Sequence, residues 1–307
     1  MLASLIPMSD EKSKIPKLAQ RVIDAGLEIR DFNHNKPEFL HAMLCQVGLP
    51  RSRVDSRVFE RTNGQTSLLL RAGEIAHGKL GEWKEMPLPY GVKPRLVMYH
   101  LCSEAVRTQS PNIDLGGSMR SFLERIGITY TGRTLTHFKR QMLALSACRV
   151  TLAYWDNGRI RQTNADPIHT FDAWFPQDPG QQVLWADEIV LGREFFDTLC
   201  EHAVPLDPRA VHALQHSALA LDIYNWLAHR LCRVRKKGGT KLSWRNLKEQ
   251  FGHEYKTSKD FKREFKRALL KVRAVYPGAK IDEVPGGLVL HSSPAPIKRT
   301  SVLVQLP

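Results

Sequence analysis

The pentapeptide FKRQM at 138–142 returns almost unchanged as FKREF at 261–265, and the sequence before each copy repeats with it. Laid over itself without a gap, the chain matches Leu96 with Leu221, Met98 with Ile223 and Tyr99 with Tyr224. Further on, SMRSFLERIG (118–127) lies over SWRNLKEQFG (243–252), both reading Ser-x-Arg-x-apolar-x-Glu-x-apolar-Gly. That pattern predicts a Ser cap, a short helix with apolar residues four apart, and a Gly where the chain leaves the helix in a left-handed turn. The register slips only in the loop before the second pentapeptide, where repeated units tolerate a change of length. The repeat predicts an internal duplication, so any fold for this chain has to be built from two related units.

In the second unit, residues 217–234 place Leu221, Tyr224, Leu227 and Leu231 at helical spacing, and the basic, Gly-rich RKKGGTKL ends that helix. A short helix over 243–251 and a third over 258–275 follow, the latter stopped by Pro277. Phe261, Phe265, Ala268, Leu269 and Val272 form its apolar stripe, leaving a cationic opposite face. AKIDEVPGGLVLHS then reads as two strands about a Pro-Gly-Gly turn. Helix, short helix, basic helix and hairpin is the order of a winged helix domain, whose third helix enters the major groove.

The first unit repeats the order: a helix opened by Pro94, a short helix over 119–126, a third over 133–147, and strands about the turn Asp156-Asn157-Gly158. QVLWADEIVLG (182–192) predicts a further strand and REFFDTLCEHA a further helix. Strand edges in RVTLAYW or QVLWADEIVLG are candidates for contact between subunits. Before this unit, 15–29 and 36–49 each predict a helix, and RSRVDSRVFER reads as a polar, exposed connector. The resulting division is an N-terminal helical and connector segment, 1–60, a first winged unit, 61–204, and a basic second one, 205–307. The fold class is α+β, with tandem winged helix domains related by internal duplication.

Charge narrows the function. The formal net charge is +14, and from Pro205 onward 20 Lys and Arg face only 8 Asp and Glu. Such a surplus calls for a polyanion, and without a membrane-type amphipathic anchor that polyanion is nucleic acid. Hydrophobic content of 42% and charged content of 25% are ordinary globular values, and no apolar run is long enough for a spanning helix. The first residues lack a basic region before their short apolar stretch, so a secretory signal is not expected and a cytoplasmic, bacterial location is. Cys45, Cys102, Cys148, Cys200 and Cys232 have neither disulfide-framework nor zinc spacing. No His-Glu-x-x-His, no His-apolar-His and no Gly-x-x-x-x-Gly-Lys-Ser/Thr loop occurs. Neither enzymatic activity nor a cofactor or metal is expected.

The DNA-contact candidates follow from the third helices and hairpins. Arg133, Thr134, Thr136, His137, Lys139 and Arg140 surround the start of the first third helix; Lys259, Lys262, Arg263, Lys266 and Arg267 line the second, with Lys256 in the loop before it and Arg159 and Arg161 on the first hairpin. A solvated face is the plain alternative for any one of these charges, but recurrence at matching places argues for contact, and cations so close repel one another unless an anion is near. Phe138, Phe261, Phe265, Trp226 and Trp244 read as core rather than as base-stacking platforms.

LPYGVKPRLVMYHLCSEA, GRTLTHFKRQMLALSACRV and AVPLDPRAVHALQHSALALDIYNWLAHRL resemble, in this order, the RepA-type replication initiators of theta-replicating, iteron-containing plasmids, of the IncW-like sort. The resemblance runs from about Leu68 to His291. It implies tandem winged helix domains that bind the repeated origin sequences called iterons as double-stranded DNA. It further implies recruitment of the host DnaA-type initiator and replicative helicase, and repression of the chain's own promoter by a homodimer formed through the first winged domain. The alternative is a winged helix transcriptional regulator without an initiation role.

Overall fold

The computed structural model describes residues 16–32, 36–77, 82–171 and 188–297, and mixes helices with short sheets throughout. The first helix, α1 (Lys17–Asp31), follows the expected periodic run. The helix expected over 36–49 is corrected: Glu38–His41 form strand β1, and only Ala42–Gln46 turn helical as α2. The reason is tertiary, because β1 pairs with residues 203–206 far along the chain. The exposed connector is corrected as well. Its end becomes β2 (Val58–Asn63), paired with β3 (Thr66–Arg71), and Arg61 is buried. A boundary at residue 60 therefore falls inside β2. A two-stranded ribbon follows, β4 (Glu74–His77) with β5 (Glu82–Glu85).

The first repeated segment gives α3 (Val92–Thr108), β6 (Asn112–Asp114), α4 (Met119–Arg125), α5 (Gly132–Ala147) and the hairpin β7 (Arg149–Asp156) and β8 (Arg159–Asn164). β7 lies between β3 and β8 in a sheet ordered β2-β3-β7-β8. Then come β9 (Thr170–Phe171) and β10 (Glu188–Val190), with β10 between β6 and β9. Residues 182–187 of the expected strand lie outside the described residues. Both edges of β7 and of β10 are thus taken within the chain, so the backbone groups expected to pair between subunits are already paired; β2 and β8 form the sheet's edges. The chain continues through α6 (Arg193–His202), β11 (Ala203–Leu206), the partner of β1, and α7 (Pro208–Leu214).

The second segment gives α8 (Ala218–Arg230), β12 (Thr240–Ser243), α9 (Trp244–Phe251), α10 (Ser258–Val275) and the hairpin β13 (Ile281–Val284) and β14 (Gly287–Leu290). Matching positions carry matching local structure. Ser118 Oγ accepts from the Ser121 N–H at 3.2 Å and Ser243 Oγ from the Asn246 N–H at 3.1 Å, each capping its short helix. Arg120 pairs with Glu124 at 3.1 Å and Arg245 with Glu249 at 3.2 Å. The glycines differ from expectation. Gly127 is left-handed at φ 73°, whereas Gly252 sits at φ −109°. What excludes a side chain at Gly252 is space, since a Cβ there would fall 2.5 Å from Lys248 Cγ and 2.6 Å from its carbonyl oxygen. The sheets differ too: β12 completes the second hairpin as β12-β14-β13, while the first hairpin joins β3 and β2 instead.

One connected core runs through both segments. α1 packs on α7 and α10, so closely that a Cβ on Gly26 would stand 2.3 Å from the Ala274 carbonyl oxygen. The aligned tyrosines are both fully buried: Tyr99 Oη donates to Asn225 Oδ1 at 3.0 Å, and Tyr224 Oη accepts from the Asp207 N–H at 2.9 Å.

Candidate nucleic-acid interface

Thr131 Oγ1 caps α5 by accepting the Thr134 N–H at 3.2 Å. Phe138, Gln141, Met142, Ala144 and Leu145 fix its buried side, and Gln141 Oε1 accepts the Tyr90 N–H at 2.7 Å, tying the helix to the loop before α3. This rotation leaves Arg133, Thr136 and Arg140 exposed on one face, with Thr134, His137 and Lys139 half-buried beside it. Thr136 returns its hydroxyl to the Gly132 carbonyl at 3.2 Å, and the Thr134 carbonyl accepts Lys93 Nζ at 3.0 Å. The His137 ring meets Tyr90 edge-on at 5.9 Å. Desolvation first, then the positive Lys93 and Arg140, pull its pKa below the usual imidazole range. Among the described residues Arg133, Lys139 and Arg140 have no carboxylate partner. The α5 face is cationic without neutralisation.

On α10, Phe261, Phe265, Ala268, Leu269, Val272 and Val275 are buried, and Phe265 meets the Trp244 ring at 5.9 Å. Lys259, Lys262, Arg263, Lys266 and Arg267 fall on the opposite side. Their charges are largely matched. Arg263 reaches Asp260 at 3.0 Å and Glu264 at 3.1 Å, Arg267 reaches Glu264 at 3.2 Å, and Lys266 pairs with Glu283 of β13. The Glu264 hydrogen bond, then Asp260, raise the Arg263 pKa. Lys256 and Lys259 are exposed with no carboxylate partner among the described residues. The run of five cations that pointed to an external anion therefore has internal counter-charges, a feature visible in the sequence as Asp260 and Glu264 one turn from Arg263 and Arg267, but not for Glu283.

Trp244 packs at the margin of the core. It is half-buried, with Lys262 Nζ 5.0 Å and Lys266 Nζ 5.7 Å from its ring centroid. Trp226 is buried as expected, as are Phe138, Phe261 and Phe265. On the first hairpin Arg159 stands opposite Asp156 beside the turn, while Arg161, opposite Tyr154, lines a cavity on the sheet's inner side.

Among the described residues no group of three or more His, Cys, Asp or Glu side chains is arranged to hold a metal. His212 and His216 are four apart, but His216 lies past the end of α7, 3.2 Å from Arg21. Cys45, Cys102 and Cys148 are buried thiols, and burial pushes Cys102 and Cys148 up to about 12. Nor is any described helix long and apolar enough to cross a membrane.

The sequence model described as plasmid encoded RepA protein matches residues 88–246, from the loop before α3 into α9. No curated protein matches the chain. Two crystal structures of domains 2 and 3 of RctB, one a selenomethionine derivative, are similar at 11% identity and a TM-score of 0.48; each match covers 81% of this chain and 95% or 94% of the other. With more than half of its length matched, the chain belongs to the family of plasmid-encoded RepA proteins, the replication initiators that its sequence resembles.

Proposed function

We propose that the chain initiates plasmid replication by binding origin iterons as sequence-specific double-stranded DNA. The observation that carries this reading is the pair of helices α5 and α10. Each bears a cationic face opposite a buried Phe-led stripe, and each is followed by a hairpin. The reading makes the two segments tandem winged helix domains derived by duplication, divided near residues 60 and 204, with α1 packed back onto the second and β1 lying against α3 of the first while it pairs with β11 at the junction. It assigns DNA contact to Arg133, Thr136, Lys139 and Arg140 on α5, to Lys256, Lys259, Lys262 and Arg263 around the start of α10, and to Arg159 on the first hairpin. His137 and Thr134 support that face from beneath it, and Lys266 and Arg267 become available only when Glu283 and Glu264 release them. The remaining parts rest on family resemblance: recruitment of a DnaA-type initiator and the replicative helicase, repression of its own promoter by a homodimer, and membership of the IncW-like subtype. No catalytic step is assigned to the protein.

One asymmetric monomer that reads direct repeats needs two different readers, and α5 and α10 differ in charge matching. A simple regulator gains its second reader from dimer symmetry instead. Footprinting on the DNA flanking the gene separates the readings. Protected direct repeats of about two helical turns, with readers roughly 34–36 Å apart, are the expected result; protection of a palindrome alone favours the regulator.

A further inference from the structure

A cavity of about 430 Å³ opens on the inner side of the four-stranded sheet, away from its outer face. Its walls come from four places: Leu152, Tyr154, Arg161, Thr163 and Ala165 on and just beyond β7 and β8; His41, Ala42, Met43 and Gln46 at the junction of β1 and α2; Thr198 and His202 on α6; and His229 and Arg233 at the end of α8. The size falls within the roughly 300–1,000 Å³ of small-molecule sites.

The lining is chemically one-sided. Arg161, Arg233, His202 and His229 face the space, and no lining residue is acidic. Glu201 reaches His202 at 3.6 Å but does not line the cavity. Arg233 uses Nη1 on the His229 carbonyl at 2.5 Å. His229 Nδ1 is buried with no hydrogen-bond partner among the described residues. His41, in contrast, is satisfied: its Nδ1 accepts the Met43 N–H at 3.1 Å, its Nε2 is 3.1 Å from Thr198 Oγ1, and its ring stacks on Phe195. It serves as wall rather than as anion ligand. Ala42, Met43, Leu152 and Ala165 supply an apolar floor.

We propose that this cavity binds a small organic phosphate monoester. Donor side chains stand on three walls of one space, Arg161 on β8, His202 on α6, and His229 and Arg233 at and just past the end of α8. That arrangement suits a tetrahedral group with three outward oxygens better than a planar carboxylate with two. The apolar floor and the Tyr154 ring accommodate the organic body, which inorganic phosphate lacks. Because its walls come from both repeated segments, occupancy links the first hairpin to the end of α8 through one anion. The DNA-binding reading is not needed for this site, and the test below involves no DNA.

The test is calorimetric titration of the full chain at neutral pH with adenosine monophosphate, glucose 6-phosphate and inorganic phosphate. At least one of the two esters binds saturably, and the three arms distinguish a nucleotide from a sugar phosphate and from the bare anion. Arg233→Gln weakens that binding by about tenfold or more, the loss expected for a charge-assisted phosphate contact. Thr163→Phe on the edge strand β8 fills the cavity, keeps every cation and also abolishes binding; unchanged thermal melting shows that both variants fold. Absence of saturable binding by either ester overturns the proposal. So does inorganic phosphate binding as tightly as the esters, or ester affinity that both folded variants leave unchanged.

Discussion

Arg95 donates from Nε to Asp222 Oδ1 at 2.7 Å and from Nη2 to Oδ2 at 2.9 Å, so a buried two-pronged ion pair joins α3 to α8, the first helices of the two repeated segments. Arg95 also donates to the carbonyls of Leu49, Pro50 and Gly91, which leaves little of its guanidinium unsatisfied. Arg51 lies 3.7 Å and Arg61 4.0 Å from the same carboxylate, and both reach Glu254. Asp222→Ala would strand this buried positive charge. Removing one partner of such a network costs about 3–5 kcal/mol, so urea denaturation should show a loss of that order. A loss well under about 1 kcal/mol, the range of exposed pairs, would mean that solvent reaches the arginines.

Stability should respond to pH through two opposed sets of groups. Burial pushes the Glu38 carboxyl from 4.5 up to about 7, against the pull of Arg107. The folded chain holds that proton longer than the unfolded one, so between those values stability falls as pH rises. Glu38→Gln should therefore raise the melting temperature at about pH 8 and change it little near pH 4.5. Burial likewise pulls His41, His100 and His229 from 6.5 down to about 4, and each contributes stability that is lost as pH falls through that window. An equal effect of Glu38→Gln at both pH values would refute the assignment to Glu38.

Glu283 on β13 holds Lys266 against the hairpin. Glu283→Gln removes that counter-charge and frees the ammonium, so affinity for double-stranded DNA should rise by the equivalent of about 0.2–1 kcal/mol at low salt, and the salt dependence should steepen by about one phosphate contact. Binding isotherms over a salt series measure both. Unchanged affinity and slope would place Lys266 off the DNA.

Much of this architecture was legible in the sequence because it is local. Caps at Ser118 and Ser243, apolar spacing in α5 and α10, and the Asn157-Gly158 and Pro285-Gly286 turns are short-range chemistry, and these elements fall within a residue or two of expectation. What escaped was set by partners far along the chain. β1 is a strand because 203–206 pair with it, Arg61 is buried because Asp222 and Glu254 receive it, and the edges of β7 are filled by β3 and β8. In the candidate interface, the sequence located the cationic faces but not their degree of neutralisation, which depends on rotamers and on Glu283 crossing from a hairpin.

Whether α5 and α10 both face DNA is decided by binding wild type, Arg140→Ala and Arg263→Ala to a direct-repeat library with every base varied. Arg140 is exposed and without a carboxylate partner among the described residues, so its loss should cost about 1–3 kcal/mol and relax preference at one base position. Arg263 is already paired with Asp260 and Glu264, so its loss should weaken all sequences slightly and nearly equally. Affinity and base profile unchanged in both variants would place neither helix on the duplex.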